Sequence, residues 1–126
     1  VQTVGYRATP TGKDLLQQSS QYDNYGRQER VYLPSPATST SGGYQTNVLS
    51  LGQGFYNGDT HPYNQINQFD NSPLNRVKQN YGAGQAWQTN NKYTQTFYET
   101  AGSDVRRYTL NSNGNVDLSG VYPSNS

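Results

Sequence analysis

The sequence predicts a mainly β protein: an antiparallel sheet, sandwich or barrel-like, with one or two short helices and a C-terminal β-hairpin. Tyr, Thr and Val, which favour strands, occur 12, 12 and 8 times. In the last third of the chain they alternate with polar residues around a turn signal at Asn113-Gly114. We expect a single domain over residues 1–126, with an N-terminal arm 1–33, a Ser/Thr/Pro/Gly linker 34–43 and a body 44–126.

The arm is predicted to contain one helix and one strand. Thr11 and Asp14 have the spacing of a capping box, in which two side chains satisfy the free amides of a helix start, and this predicts a helix over about residues 12–20. Residues 29–33 have the content of a strand that Pro34 ends. The linker that follows is poor in large apolar side chains, so we expect an extended or flexible stretch that does not pack into a core.

The body is predicted to open with a strand. Residues 44–51 are β-compatible, and residues 52–58 supply turn formers. A helical turn is expected after Pro62, where three apolar residues are spaced three apart: Tyr63, Ile66 and Phe69.

The strongest helix signal covers residues 72–82. Ser72 can cap the helix, Pro73 suits its first position, and Gly82 can close its end. The apolar residues of the segment fall on one helical face: Leu74, Val77 and Tyr81.

The last third is predicted to form antiparallel strands over residues 92–99, 104–111 and 116–122. A two-residue turn at Asn113-Gly114 would scatter apolar side chains over both faces of the final hairpin. A three-residue loop with Gly114 left-handed instead puts apolar residues on one face, pairing Leu110 with Val116 and Tyr108 with Leu118. The polar face then carries Arg107, Thr109, Asp117 and Ser119. We therefore expect the bulged hairpin.

Tyrosine is expected to supply much of the core. Leu, Val, Ile and Phe together number only 20, whereas Asn, Gln, Ser and Thr number 51. A tyrosine ring buries a large apolar area, and its hydroxyl needs a partner that these polar residues can provide.

Composition argues against most reactive chemistry. His61 is the only histidine and there is no cysteine, so we expect no cofactor, no metal site and no enzymatic activity. The net charge of +1 gives no basic footprint for nucleic acid. No apolar run is long enough for membrane insertion. Because the chain begins at Val1 without a signal-like segment, we expect a mature, secreted form.

Three functions fit this composition. The first is a secreted structural protein that self-assembles into an extracellular fibre, coat, matrix or adhesive layer, with exchange of the arm between subunits as one route. The second is a secreted β-rich module that binds polysaccharide. The third is a small ribonuclease-like hydrolase, for which four residues are candidate catalytic groups: Glu99, Arg106, Arg107 and His61.

Trp87 and its neighbours Tyr81 and Tyr93 are the candidate contact residues. Two interpretations remain open. Large aromatic residues are mostly buried, which favours Trp87 as the main core residue of a chain with little else to bury. Exposed rings would instead contact a glycan or another subunit.

Overall fold

The computed structural model describes residues 1–123 and has the predicted mainly β architecture. The chain divides into two compact units, Val1–Thr96 and a second that begins at Phe97. The first unit holds one antiparallel sheet and two short helices, and the second holds an antiparallel hairpin.

The sheet of the first unit has seven strands: β1 (Gln2–Gly5), β2 (Leu15–Tyr22), β3 (Gln28–Tyr32), β4 (Ser35–Pro36), β5 (Tyr63–Phe69), β6 (Val77–Tyr81) and β7 (Tyr93–Gln95). Their order is β1-β2-β3-β5-β6-β7, with β4 also beside β2. The helices are α1 (Val48–Phe55) and α2 (Gln85–Gln88), and the hairpin of the second unit is β8 (Arg106–Leu110) and β9 (Val116–Val121).

Strands β3 and β4 both pair with β2 on the same side, one after the other along its length. Tyr32 lies opposite Ser19 and Pro36 lies opposite Leu15, so both strands keep the same register. Their pairing with β2 breaks at Pro34, which has no N–H to donate to the ladder. Residues 35–36 of the stretch predicted not to pack are thus part of the sheet, and Ser35 and Ala37 are buried.

The predicted arm also belongs to this sheet. Strand β3 pairs with β5, with Arg30 opposite Gln65 and Tyr32 opposite Tyr63. Because the arm satisfies its strand partners within its own chain, we do not carry forward the hypothesis that it is exchanged between subunits.

Two predicted helices are wrong. Residues 12–20 lie largely in β2, and residues 77–81 form β6. Asp14, taken as part of a helix cap, bonds elsewhere: its buried carboxylate accepts bonds from the Arg7 and Gly42 amides and the Ser39 hydroxyl. The Ser72 hydroxyl accepts the Leu74 amide over 3.3 Å, as a cap would, but it also donates to Asp70, and the chain then enters β6. Long-range partners outweighed local helix signals.

Two further local predictions are reversed. Residues 48–55 form α1 rather than a strand, and residues 63–69 form β5 rather than a helical turn. The inward positions of α1 are Val48, Leu51 and Gly52, which have helical spacing. The predicted strands at 92–99, 104–111 and 116–122 each contain an observed strand, and the one predicted at 29–33 overlaps β3, which begins at Gln28.

The core is small and half of its apolar members are tyrosine, as predicted. The buried hydrophobic residues among those described are Leu16, Ala37, Tyr63 and Tyr81. The Tyr63 ring contacts its cross-strand neighbour Tyr32 at 5.2 Å between centroids. The Tyr81 hydroxyl donates to Asn91 over 2.8 Å.

Three hairpin loops share one construction. The loops are Thr9 to Lys13, Asp23 to Arg27 and Asn111 to Asn115. In each loop, the backbone N–H of the fifth residue donates a hydrogen bond of 2.9 Å to the side-chain oxygen of the first residue. The fourth residue is a left-handed glycine, with φ of +71°, +75° and +78°. A side-chain acceptor three residues before glycine is therefore a sequence signal for these loops. Only the last of the three was predicted.

Helix α1 docks through a glycine, which gives a matched pair of variants. A Cβ on Gly52 would lie 2.8 Å from Pro62 Cγ, whereas a Cβ on Gly54 meets nothing within 4 Å. We expect Gly52→Ala to lower the free energy of unfolding by about 1–3 kcal/mol. Gly54→Ala is expected to raise it by about 0.5 kcal/mol, because alanine favours helix. Urea unfolding followed by circular dichroism measures both, and equal effects would contradict this docking.

The loop between β5 and β6 makes stability depend on pH. The Arg76 side chain, which donates over 2.7 Å, is the main cause that lowers the pKa of Asp70 to about 2, with help from Ser72. A carboxyl with a lowered folded pKa stabilises the fold above its unfolded pKa of about 3.8, and this stabilisation is lost as the pH falls through about 2.

We therefore expect Asp70→Asn to melt at a lower temperature than wild type at pH 7, with the difference shrinking between pH 4 and pH 2. Glu29→Gln is the control, because the Glu29 carboxylate makes no hydrogen bond or ion pair with the residues that the structure describes. A difference for Asp70→Asn that stays constant down to pH 2 would exclude this role.

Candidate functional site

The hairpin of the second unit has the predicted register. Leu110 lies opposite Val116 and Tyr108 lies opposite Leu118, with Gly114 left-handed in the loop. Opposite residues in an antiparallel pair point to the same face. All four side chains are more than half exposed, and Leu110 reaches 72 %.

A bulge extends this apolar face by one residue. The register shifts beside Tyr108, so that Val121 lies opposite Arg106, and Gly120 takes a φ of +118° there. The shift turns Val121 toward the side of Leu118. We call the apolar residues of this surface the hairpin face: Tyr108, Leu110, Val116, Leu118 and Val121. Arg106, which lies opposite Val121, is at the end of the same side of the hairpin.

The opposite face of the hairpin is polar, as predicted. Arg107 Nε donates to Ser119 Oγ over 3.2 Å, and Asn111 Nδ2 donates to Asp117 Oδ2 over 2.8 Å. Thr109 lies opposite Asp117. The two faces therefore differ sharply in polarity, although all residues of β8 and β9 are exposed.

A second surface gathers the three aromatic candidates. Tyr81 ends β6 and Tyr93 opens β7, and these cross-strand partners meet edge to face at 5.6 Å. Trp87 lies in α2, and its ring covers Gly82. We call the space beside these rings the aromatic cleft. It has a volume of about 480 Å³ and is lined by Gly82, Trp87, Asn91, Lys92, Tyr93 and Thr94.

Hydrogen bonds of the backbone and of two side chains fix the position of the helix that carries Trp87. Gly84 turns the chain into α2 with a φ of +113°, and the Asp59 carboxylate accepts the Gln85 amide over 2.9 Å. Gln88 Nε2 donates to the Tyr63 carbonyl over 3.0 Å, which ties α2 to β5. The Lys92 amide donates to the Trp87 carbonyl over 2.9 Å, which closes the turn toward β7.

The three rings occupy different environments. Trp87 is 53 % exposed and Tyr93 is 42 % exposed, whereas Tyr81 is only 8 % exposed. The interpretation of Trp87 as the main core residue is therefore wrong, since Tyr81 is buried in its place. Trp87 and Tyr93 form the accessible surface of the cleft, and the buried Tyr81 ring packs against Tyr93.

Sequence reasoning missed the polar lining of the cleft. Asn91, Lys92 and Thr94 join it because the short turn after α2 runs back along β6, and Asn91 takes a left-handed φ of 52° in that turn. The signal that could have found them is their position in sequence: Asn91 and Lys92 lie between Trp87 and β7, and Thr94 follows Tyr93 within β7.

The residues considered for a ribonuclease-like site belong to different units. His61 lies in the first unit, and its Nδ1 is 2.8 Å from the Thr60 hydroxyl. Glu99, Arg106 and Arg107 lie in the second. In the described part of the chain no group of three or more His, Cys, Asp or Glu residues could hold a metal ion, and no helix is long and apolar enough to cross a membrane.

A protein family described as Domain of unknown function (DUF6443) matches residues 1–100 of the chain. The match covers the whole first unit, including the aromatic cleft, and ends before the hairpin strands. No curated protein and no solved structure gives a significant match.

Proposed function

We propose that this chain, which belongs to the DUF6443 family, is a secreted structural protein whose copies assemble into an extracellular fibre, coat, matrix or adhesive layer. The observation that carries the proposal is the hairpin face. A two-stranded hairpin is marginally stable alone in water, and contiguous exposed apolar surface marks an interaction site. We assign a second copy of the same face as its partner.

The magnitudes favour association that depends on concentration. Full burial of one Leu or Val side chain contributes about 1.5–3 kcal/mol, so covering the half-exposed residues of two hairpin faces contributes on the order of 10 kcal/mol. Association costs about 4–15 kcal/mol in lost freedom of motion. Two faces alone therefore give a weak pair, and a lasting assembly needs a further contact.

The open sheet offers that further contact. Its edges are β1 at one end and β7 at the other, and β7 is exposed along its length. An edge strand presents unpaired N–H and C=O groups that a strand from another copy can pair with. Two different contacts on one subunit allow an assembly to extend rather than stop at a pair.

Composition supports the same proposal. A net charge of +1 produces little repulsion between copies. Amide and hydroxyl side chains provide hydrogen bonds between packed surfaces. The absence of Cys and Met removes the side chains that oxidise most readily, which suits a protein that persists outside the cell.

The test is the mass of the purified chain across concentration, with negative-stain imaging of the same samples. We expect the mass to rise with concentration and images of the concentrated samples to show regular assemblies. A chain that stays monomeric at millimolar concentration would refute the proposal.

A further inference from the structure

The aromatic cleft combines two exposed rings with polar side chains that keep donors unused among residues 1–123. Asn91 Oδ1 accepts the Tyr81 hydroxyl, which orients the side-chain amide and leaves its Nδ2 group as a donor toward a ligand. The Lys92 ammonium makes no ion pair with any carboxylate among residues 1–123. No acidic residue lines the cleft in the described part of the chain.

We propose that this cleft binds an acidic polysaccharide, a polymer of pyranose sugars that carry carboxylates. This binding is a function beyond self-assembly and lies in the other unit of the chain. A pyranose ring has an apolar face of C–H groups that stacks on an aromatic ring, while its edge carries hydroxyls that need hydrogen bonds. Trp87 and Tyr93 supply the rings, and Asn91 and Thr94 supply polar groups at their edge.

Charge selects the acidic kind of sugar. Lys92 is among the residues that line the cleft, and a uronate carboxylate would complement its positive charge. A nucleic acid strand would also stack on exposed rings, but it needs a row of cations along its phosphates. Among residues 1–123, Lys92 is the one cation that lines this cleft. The cleft volume of about 480 Å³ falls in the range of about 300–1,000 Å³ that is typical of ligand sites.

The backbone around the cleft is also held in place by hydrogen bonds before any ligand binds. The Trp87 backbone is held by the Lys92 amide, and α2 is held by the bonds from Gln88 to Tyr63 and from Gln85 to Asp59. A ligand that stacks on Trp87 therefore does not have to order the segment first, and preorganisation of this kind raises affinity.

The test uses a property of the sequence: Trp87 is the only tryptophan, so intrinsic tryptophan fluorescence reports on the cleft alone. The full chain is titrated with an oligogalacturonate and, separately, with a neutral gluco-oligosaccharide of equal length. We expect the uronate to change the emission at lower concentration than the neutral sugar. We also expect added salt to reduce this preference.

Calorimetry of variants separates the contribution of ring stacking from that of charge. We expect Trp87→Ala to weaken uronate binding by about tenfold or more, as loss of an aromatic anchor does. Lys92→Gln is expected to remove the preference for uronate over neutral sugar and to leave neutral binding unchanged. Tyr44→Ala, which removes an exposed ring outside the cleft lining, is the matched control and should bind as wild type does. Unchanged circular dichroism of each variant confirms that it folds.

Three results would overturn the proposal. One is that neither sugar binds. Another is binding that leaves Trp87 emission unchanged, because the site would then lie elsewhere. The third is a Lys92→Gln variant that keeps the full preference for uronate. None of these results bears on self-assembly, which the mass measurement tests separately.

Discussion

Replacing Leu16 by alanine is expected to lower the free energy of unfolding of the first unit by about 2–5 kcal/mol. Leu16 is fully buried near the start of β2, where it lies between Val4 of β1 and Ser35 of β4. The described core has only four buried hydrophobic residues, so few neighbours can close over the cavity that alanine leaves. A domain is stable by about 5–15 kcal/mol in total, so this single change removes a large fraction of the stability.

Leu74→Ala is the matched control for this prediction. Leu74 lies in the loop between β5 and β6 and is mostly exposed, so its truncation is expected to cost at most about 0.5 kcal/mol. Urea unfolding followed by Trp87 fluorescence reports on the first unit, because Trp87 lies in it. Equal losses for the two variants would mean that Leu16 is not at the centre of the core.

Placing a lysine on the hairpin face is expected to dissociate the assembly. Leu110→Lys puts a charged head where the partner copy would bury an apolar side chain, and loss of an interface anchor costs about 2 kcal/mol or more, roughly a thirtyfold rise in the dissociation constant. The hairpin itself should survive, because Leu110 is exposed in the single chain.

Thr109→Lys is the control for charge. It adds the same side chain one residue away, on the polar face and opposite Asp117, where a cation is favourable. We expect its assembly to match wild type. Sedimentation equilibrium of the three proteins measures the effect, and equal dissociation by both lysine variants would place the interface somewhere other than the hairpin face.

The C-terminal hairpin was predictable because its signals are all local. The choice of loop length at Ser112 to Gly114 follows from alternation of apolar residues on either side of one turn, and no distant residue is involved. The observed pairs of Leu110 with Val116 and Tyr108 with Leu118 confirm that reasoning.

The first unit was harder to predict because its decisive contacts are distant in sequence. Asp14 looks like a helix cap beside Thr11, yet its carboxylate bonds to the Ser39 hydroxyl and the Gly42 amide. The main cause that lowers the pKa of Asp14 is likewise a hydrogen bond from the backbone of Arg7. Local caps cannot reveal such partners, and the strand pairing that they support replaced the predicted helix.

The sequence predicted which aromatic residues meet at the cleft, but not which of them is buried. Tyr81, Trp87 and Tyr93 fall within 13 residues, so composition alone indicated that they could meet. Which ring is buried depends on the path of the chain through Gly82 and Gly84. Along this path Tyr81 is buried, with its hydroxyl bonded to Asn91, and Trp87 is exposed. Only the fold decides that distribution.

Amide hydrogen exchange at low and high protein concentration tests the central claim most directly, because it locates the interface residue by residue. The account predicts that amides of Arg106–Leu110 and Val116–Val121 exchange more slowly as concentration rises, since a covered hairpin opens less often. Exchange in this hairpin that does not change with concentration, while the mass of the particles increases, would contradict it.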